Sequence, residues 1–235
     1  MKDKLRTIKE KAEESTFVPT VGSTLRAGVA AIPWIGGTLD HLLFDKADEI
    51  RIKNIEKALR DISDKMGQIS ENSINKNWFD SEEAIELFKQ LVDKVQFEQD
   101  TAKSSTLSKI YAISGTNEFS TDPNKFAVLQ KVAELTTVQK KLLQIIEKVQ
   151  PVKRQFTGGS LQSSAISIWF DDIMNAVKTN PEGKFWEGTL QLDVELEIIE
   201  SFNLITRTNA PLVNMRGYEI SRLGKLVLKY INNAS

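Results

Sequence analysis

Residues 190–231 read LQLDVELEIIESFNLITRTNAPLVNMRGYEISRLGKLVLKYI, and they decide whether the chain is helix alone or helix with a sheet. Leu190 to Asn203 spaces its apolar residues for a helix, with acids between them. Leu204-Ile-Thr-Arg-Thr208 is short and rich in β-branched residues, Asn209-Ala-Pro211 interrupts it, and Tyr218-Glu-Ile-Ser221 is a second β-prone stub. Arg222 to Ile231 then reads as a closing helix.

A helix, two strand stubs and a closing helix is the order of a winged-helix-like module. In a DNA reader of that kind the helix before the stubs, here Gly188 to Asn203, enters the major groove. This one carries Asp193, Glu195, Glu197 and Glu200 and no Lys or Arg. Duplex DNA presents a phosphate charge about every 1.7 Å, so an acidic helix meets repulsion there. Arg207, Arg216, Arg222, Lys225 and Lys229 are left as a small basic wing, the first four of them the candidate nucleic-acid contacts. The acidic helix favours protein contact or self-association over a DNA-binding regulator.

Upstream, Gly, Pro and Asn divide the chain into further helices. Residues 3–14 read as a short charged helix. Thr38 to about Ile69 is amphipathic, with Ile55, Ala58, Leu59 and Ile62 on one face. Asn72 to Phe79 reads as a loop. Asp80-Ser-Glu-Glu83 has capping-box spacing and opens a helix expected to run as far as Ile113, before Gly115. Asp122-Pro123 reads as a cap followed by proline at the first helical position, and Thr136-Thr-Val-Gln139 starts a helix that Pro151 ends. Val152 to Ser160 reads as an exposed polar loop, and Ser164 to Val177 as a helix with Ile166, Trp169, Phe170 and Ile173 inward. Asn180-Pro-Glu-Gly183 reads as a turn. The expected fold is mostly α: a helical bundle with an N-terminal apolar helical hairpin and a C-terminal winged-helix-like module, divided as residues 1–120 and 121–235.

With 31 Lys plus Arg against 32 Asp plus Glu, no global field draws in nucleic acid or anionic lipid. The absence of cysteine removes disulfides, thiolate nucleophiles and Cys-type zinc sites, as suits a reducing cytoplasm. The charged opening MKDKLRTIKEKAEEST is not a secretory signal, so the expected location is cytoplasmic. His41 has Asp45 one helical turn away, yet no HExxH and no second histidine accompany it, and it reads as a polar residue at a helix edge. Thr157-Gly-Gly-Ser160 lacks phosphate-loop spacing, and Asp171-Asp172 point in different directions on a helix. No catalytic residue, metal or cofactor is expected, and the chain reads as a non-enzyme.

The most apolar passage is AGVAAIPWIGGTLDHLLF, residues 27–44. Its charge-free run from Ala27 to Leu39 falls short of the roughly 20 residues that span a bilayer. Gly28, Gly36 and Gly37 each weaken a helix by about 1 kcal/mol, and Pro33 by more, a composition that suits a hinge. Two apolar helical pieces joined by Pro33-Trp-Ile-Gly-Gly37 would pack on the body in one state and enter a bilayer in another, with Trp34 at the interface. Ile32, Pro33, Trp34, Ile35, Gly36, Gly37, Leu39, Leu42 and Leu43 are the candidate membrane or partner contacts.

Ile32-Pro-Trp-Ile-Gly-Gly37, running into Lys46-Ala-Asp-Glu-Ile-Arg-Ile-Lys-Asn-Ile-Glu-Lys57, resembles bacterial abortive-infection proteins of the Abi-alpha kind. So do Asp100-Thr-Ala-Lys-Ser-Ser105 with Leu107 to Ile113, and Leu135-Thr-Thr-Val-Gln-Lys-Lys-Leu-Leu143. Tyr218 to Ile231 is similar to the last strand and helix of bacterial winged-helix tails. The resemblance implies a cytoplasmic, non-enzymatic phage-defence component, soluble at rest, that compromises the inner membrane through residues 25–44 when triggered. The alternative is an interaction subunit that binds a nuclease or ATPase. Either way a protein partner or a second copy is expected, and nucleic acid is disfavoured.

Overall fold

The computed structural model describes residues 49–158, 161–180, 189–209 and 216–235. The expected helix at 3–14, the hairpin at 25–44, His41 and most of the 180–183 turn lie outside the described residues. Among the described residues the chain is mostly helical with one four-stranded antiparallel sheet, and no helix is long and apolar enough to cross a membrane.

Helix α1 (Glu49–Gln68) buries Ile55, Ala58, Leu59 and Ile62, the face its periodicity predicts. The expected loop at 72–79 instead holds a short 3-10 turn (Glu71–Ser73) and a one-turn helix α2 (Lys76–Phe79), which sinks Trp78 and Phe79 into the core. Helix α3 (Glu82–Val95) is capped by Ser81, whose side chain accepts from Ala84 N–H. The capping box expected from Asp80 does not form, because Glu83 turns inward to Trp78 and to Lys125.

The helix expected to run through to Ile113 breaks after Val95. Asp100 starts a new one, α4 (Thr101–Ser114), by accepting from Ala102 and Lys103 N–H with one carboxylate oxygen. Helices α1 and α3 pack on α4, which is buried on nearly every face and so carries no amphipathic stripe. Its buried Ser108 and Ser114 hydroxyls donate to carbonyls of their own helix, which lets small residues sit in a dry contact. Gly115 ends α4 as expected; a Cβ there would lie 2.1 Å from the Phe79 ring.

Helix α5 (Lys125–Glu134) begins later than Asp122-Pro123 predicts. Asp122 accepts from Asn124 N–H in a local turn and from the Tyr230 hydroxyl, so it serves a tertiary contact rather than a cap. Helix α6 (Thr137–Lys148) has the full capping box of Thr136 and Gln139, as its sequence predicts.

The segment after Pro151 departs most from expectation. The loop expected at 152–160 and the first half of the helix expected at 164–177 form an antiparallel pair, β1 (Val152–Gly158) and β2 (Leu161–Trp169), in register from Val152↔Ser167 to Gly158↔Leu161. Helix α7 (Phe170–Thr179) follows, with Ile173 and Val177 buried. Ser167 is fully buried, donating to Tyr218 O and bonded to Thr208 Oγ1, while Ile166 is exposed. A polar residue inward and an apolar one outward is the reverse of the pattern that marks a strand.

The tail follows its predicted order: α8 (Thr189–Ser201), β3 (Ile205–Asn209), β4 (Arg216–Ile220) and α9 (Arg222–Ala234). Asn203 ends α8 in the left-handed region (φ 59°), with Leu204 N–H donating to Ile199 O and Asn203 N–H to Glu200 O, a Schellman closure. The sheet order is β1-β2-β4-β3, so the tail hairpin is joined to β2 through Ile168↔Tyr218 and Trp169↔Gly217. Helix α9 packs on α4, α5 and α6, and one buried cluster runs from Ile55 of α1 to Ala234 of α9.

Candidate interaction surface

Helix α8 backs onto the sheet through Leu192, Leu196 and Ile199, each buried. Its 3.6-residue period then sets the remaining faces. On one flank Glu195 accepts from Gln139 Nε2 at 2.7 Å, so the capping-box glutamine of α6 also fixes α8. On the other flank Asp193 and Glu200 face the hairpin, and Glu197 stands at the edge between that flank and solvent. Arg207 of β3 reaches Glu200 at 3.0 Å and Glu197 at 3.8 Å, and Arg216 of β4 pairs with Asp193.

Two of the four candidate nucleic-acid contacts are therefore held by the helix that would have to share the DNA with them. The other two, Arg222 and Lys225, are exposed in the first turn of α9. Outward on α8 lie Gln191, Val194, Glu197 and Ser201, with half-buried Ile198 beside them. That strip holds one acid, two aliphatic residues and no cation. Val194 and the outward Ile166 of β2 are among the exposed large apolar residues of the module.

Tyr218 stands behind the hairpin arginines. It is fully buried and its hydroxyl has no hydrogen-bond partner among the described residues; burial pushes its phenol up from the ordinary value, with Arg207 and Arg216 opposing. The Asp171-Asp172 pair at the start of α7 converges on one cation, contrary to the divergence expected from adjacent helical positions. Arg154 of β1 presents one guanidinium nitrogen to each, at 3.7 Å to Asp171 and 3.0 Å to Asp172, and lies over the Trp169 ring. Sequence spacing missed this because the partner sits on a strand that was read as a loop.

Among the described residues there is no group of three or more metal-ligating side chains. The nine candidate contacts from Ile32 to Leu43 lie outside the described residues. No protein-family model, curated protein or solved structure matches the chain.

Proposed function

We propose that the chain is a non-enzymatic interaction protein whose C-terminal module is winged-helix-like and turned to protein contact rather than DNA. Strand β2, helices α7 and α8, and hairpin β3–β4, with sheet order β2-β4-β3, follow the order of a winged helix, and α8 occupies the recognition position. The observation that carries the reading is the pairing of Arg207 and Arg216 with Glu200 and Asp193. It neutralises the hairpin and leaves α8 with an outward strip of one acid and aliphatic residues, which phosphates would not bind and a protein surface would.

The setting in bacterial phage defence comes from the Abi-alpha resemblance, and a cytoplasmic resting state with membrane action through residues 25–44 comes from the composition of that hairpin. Two measurements separate these parts. Fluorescence anisotropy with duplex DNA at low salt is expected to stay flat for the whole chain; salt-dependent binding would overturn the protein-contact reading. Leakage from vesicles of anionic and neutral lipid, with and without Pro33→Ala/Gly36→Ala/Gly37→Ala, tests the hairpin, and no leakage under any condition sinks the membrane reading alone.

A further inference from the structure

A cavity of about 280 Å³ opens where α4, α6 and α9 meet, away from the α8 strip. Ser105 and Lys109 stand one turn apart on α4, and Lys140 and Gln144 one turn apart on α6, so two helices each turn a lysine and a neutral polar group into it. Ile231 of α9 supplies an apolar wall. Lys140 Nζ donates to Thr106 Oγ1 at 2.7 Å, and Thr106 in turn donates to Ala102 O, so that hydroxyl is fully used. Among the described residues the Lys109 ammonium has no ion pair or hydrogen bond, and the Ser105 hydroxyl has no hydrogen-bond partner.

The positive charge here is balanced only in part, by Asp100. Burial lowers the Lys140 ammonium from its ordinary value, Lys141 and Lys109 lower it further, and Asp100 acts against them. Asp100 is itself engaged by Thr137 and by two amides of α4. Lys65 of α1, lowered by burial and again by Lys109, already donates to the Ser235 backbone oxygen. Glu147 is occupied by Asn232, which also takes the Gln144 amide. Two half-buried ammonium groups, one free hydroxyl and an adjoining apolar wall match a compact dianion carried on a small organic group.

We propose that this cavity binds a small phosphorylated molecule, its phosphoryl group held by Lys109, Lys140 and Ser105 and its organic part set against Ile231. The site is independent of the protein-contact reading of α8. The test is calorimetric titration of the whole chain, at fixed ionic strength, with inorganic phosphate and with ribose 5-phosphate. Saturable binding is expected for at least one of them; tighter binding of the ester identifies a phosphomonoester as the ligand, and equal affinity identifies the free ion. Lys109→Gln and Lys109→Glu are expected to weaken binding by about tenfold or more, as loss of a charge-assisted contact does. Both variants relieve like-charge crowding and are expected to keep the wild-type circular dichroism spectrum. Lys153→Glu, on exposed β1, is expected to leave the affinity unchanged. No saturable heat with either probe, or equal weakening by Lys153→Glu, would overturn the site.

Discussion

Lys125 and the pair Arg207 and Arg216 are all held by carboxylates, in opposite surroundings. The Lys125 side chain is 1% exposed; its ammonium donates to Glu83 at 2.9 Å and to Ser120 O at 3.0 Å, and Glu83 also accepts from Trp78 Nε1 at 2.6 Å. This cluster ties α2, α3 and α5 together under the aromatic contacts of Trp78, Phe79 and Phe88 with Tyr111. The arginines of the hairpin are 33% and 43% exposed and face acids that water also reaches. A buried charge is stranded when its counter-charge is removed, whereas an exposed one exchanges its partner for solvent. The Lys125 charge is therefore structural, and charge on the hairpin sets what that surface offers to a partner.

The sharpest way to break this contrast is Glu83→Gln, which leaves the fully buried ammonium of Lys125 without its counter-charge. A cost of about 3–5 kcal/mol is expected in urea denaturation, against less than about 2 kcal/mol for Lys125→Met, which removes the ammonium and leaves Glu83 able to turn to water. Equal costs would show that the pair is not the source of the stability.

The module should instead be held by packing. A Cβ at Gly217 would lie 2.5 Å from Ser167 Oγ and 3.2 Å from Trp169, at the point where β4 joins β2. Gly217→Ala is expected to cost about 1–3 kcal/mol by overpacking. A neutral result would mean that the β2–β4 junction yields easily.

Asp100 lies between the two extremes, half-buried at the α4 start. The hydrogen bond from the Thr137 hydroxyl, foremost, and those from Lys103 and Ala102 N–H hold its carboxyl below the ordinary value in spite of burial. Because the folded value is depressed, its contribution is complete above the unfolded value of about 3.9 and is lost as pH falls through the folded one. Asp100→Ala is expected to cost about 1 kcal/mol at pH 7, as lost caps do. Thermal melts should show the gap to wild type narrowing as pH falls below about 4; a gap that does not narrow with falling pH would rule out the carboxylate as its origin.

The smallest effect is expected at Arg207. Arg207→Ala should change stability by less than about 1 kcal/mol, and a double-mutant cycle with Glu200→Ala should give a coupling of the same order. A coupling above about 2 kcal/mol would place the hairpin pairs in the same class as Lys125 and Glu83.

Much of the helical architecture was legible because helix ends are encoded within a few residues. Thr136 and Gln139 satisfy each other's backbone, Ser221 caps α9 through Gly224 N–H, and Gly115 stops α4. The α3–α4 break was missed because no Gly or Pro stands between Val95 and Gly115 to mark it, and only the cap formed by Asp100 shows where the helix restarts. The hairpin β1–β2 was missed because its inward residue is Ser167, satisfied by Tyr218 O and Thr208 from strands far along the chain. Of the candidate surface, the acidic character of α8 was plain; that its acids consume Arg207 and Arg216 was not.

By itself the sequence determined most of the helical stretches, the helix start at Thr136, the stop at Gly115 and the order helix–strand–strand–helix of the tail, since these depend on neighbours within one or two turns. The tertiary structure alone decided that residues 152–169 are strands, that Asp122 bonds Tyr230 instead of capping a helix, and that the hairpin arginines face their own acids. Strand identity and charge pairing are settled by residues distant in the chain, and only folding brings those residues together.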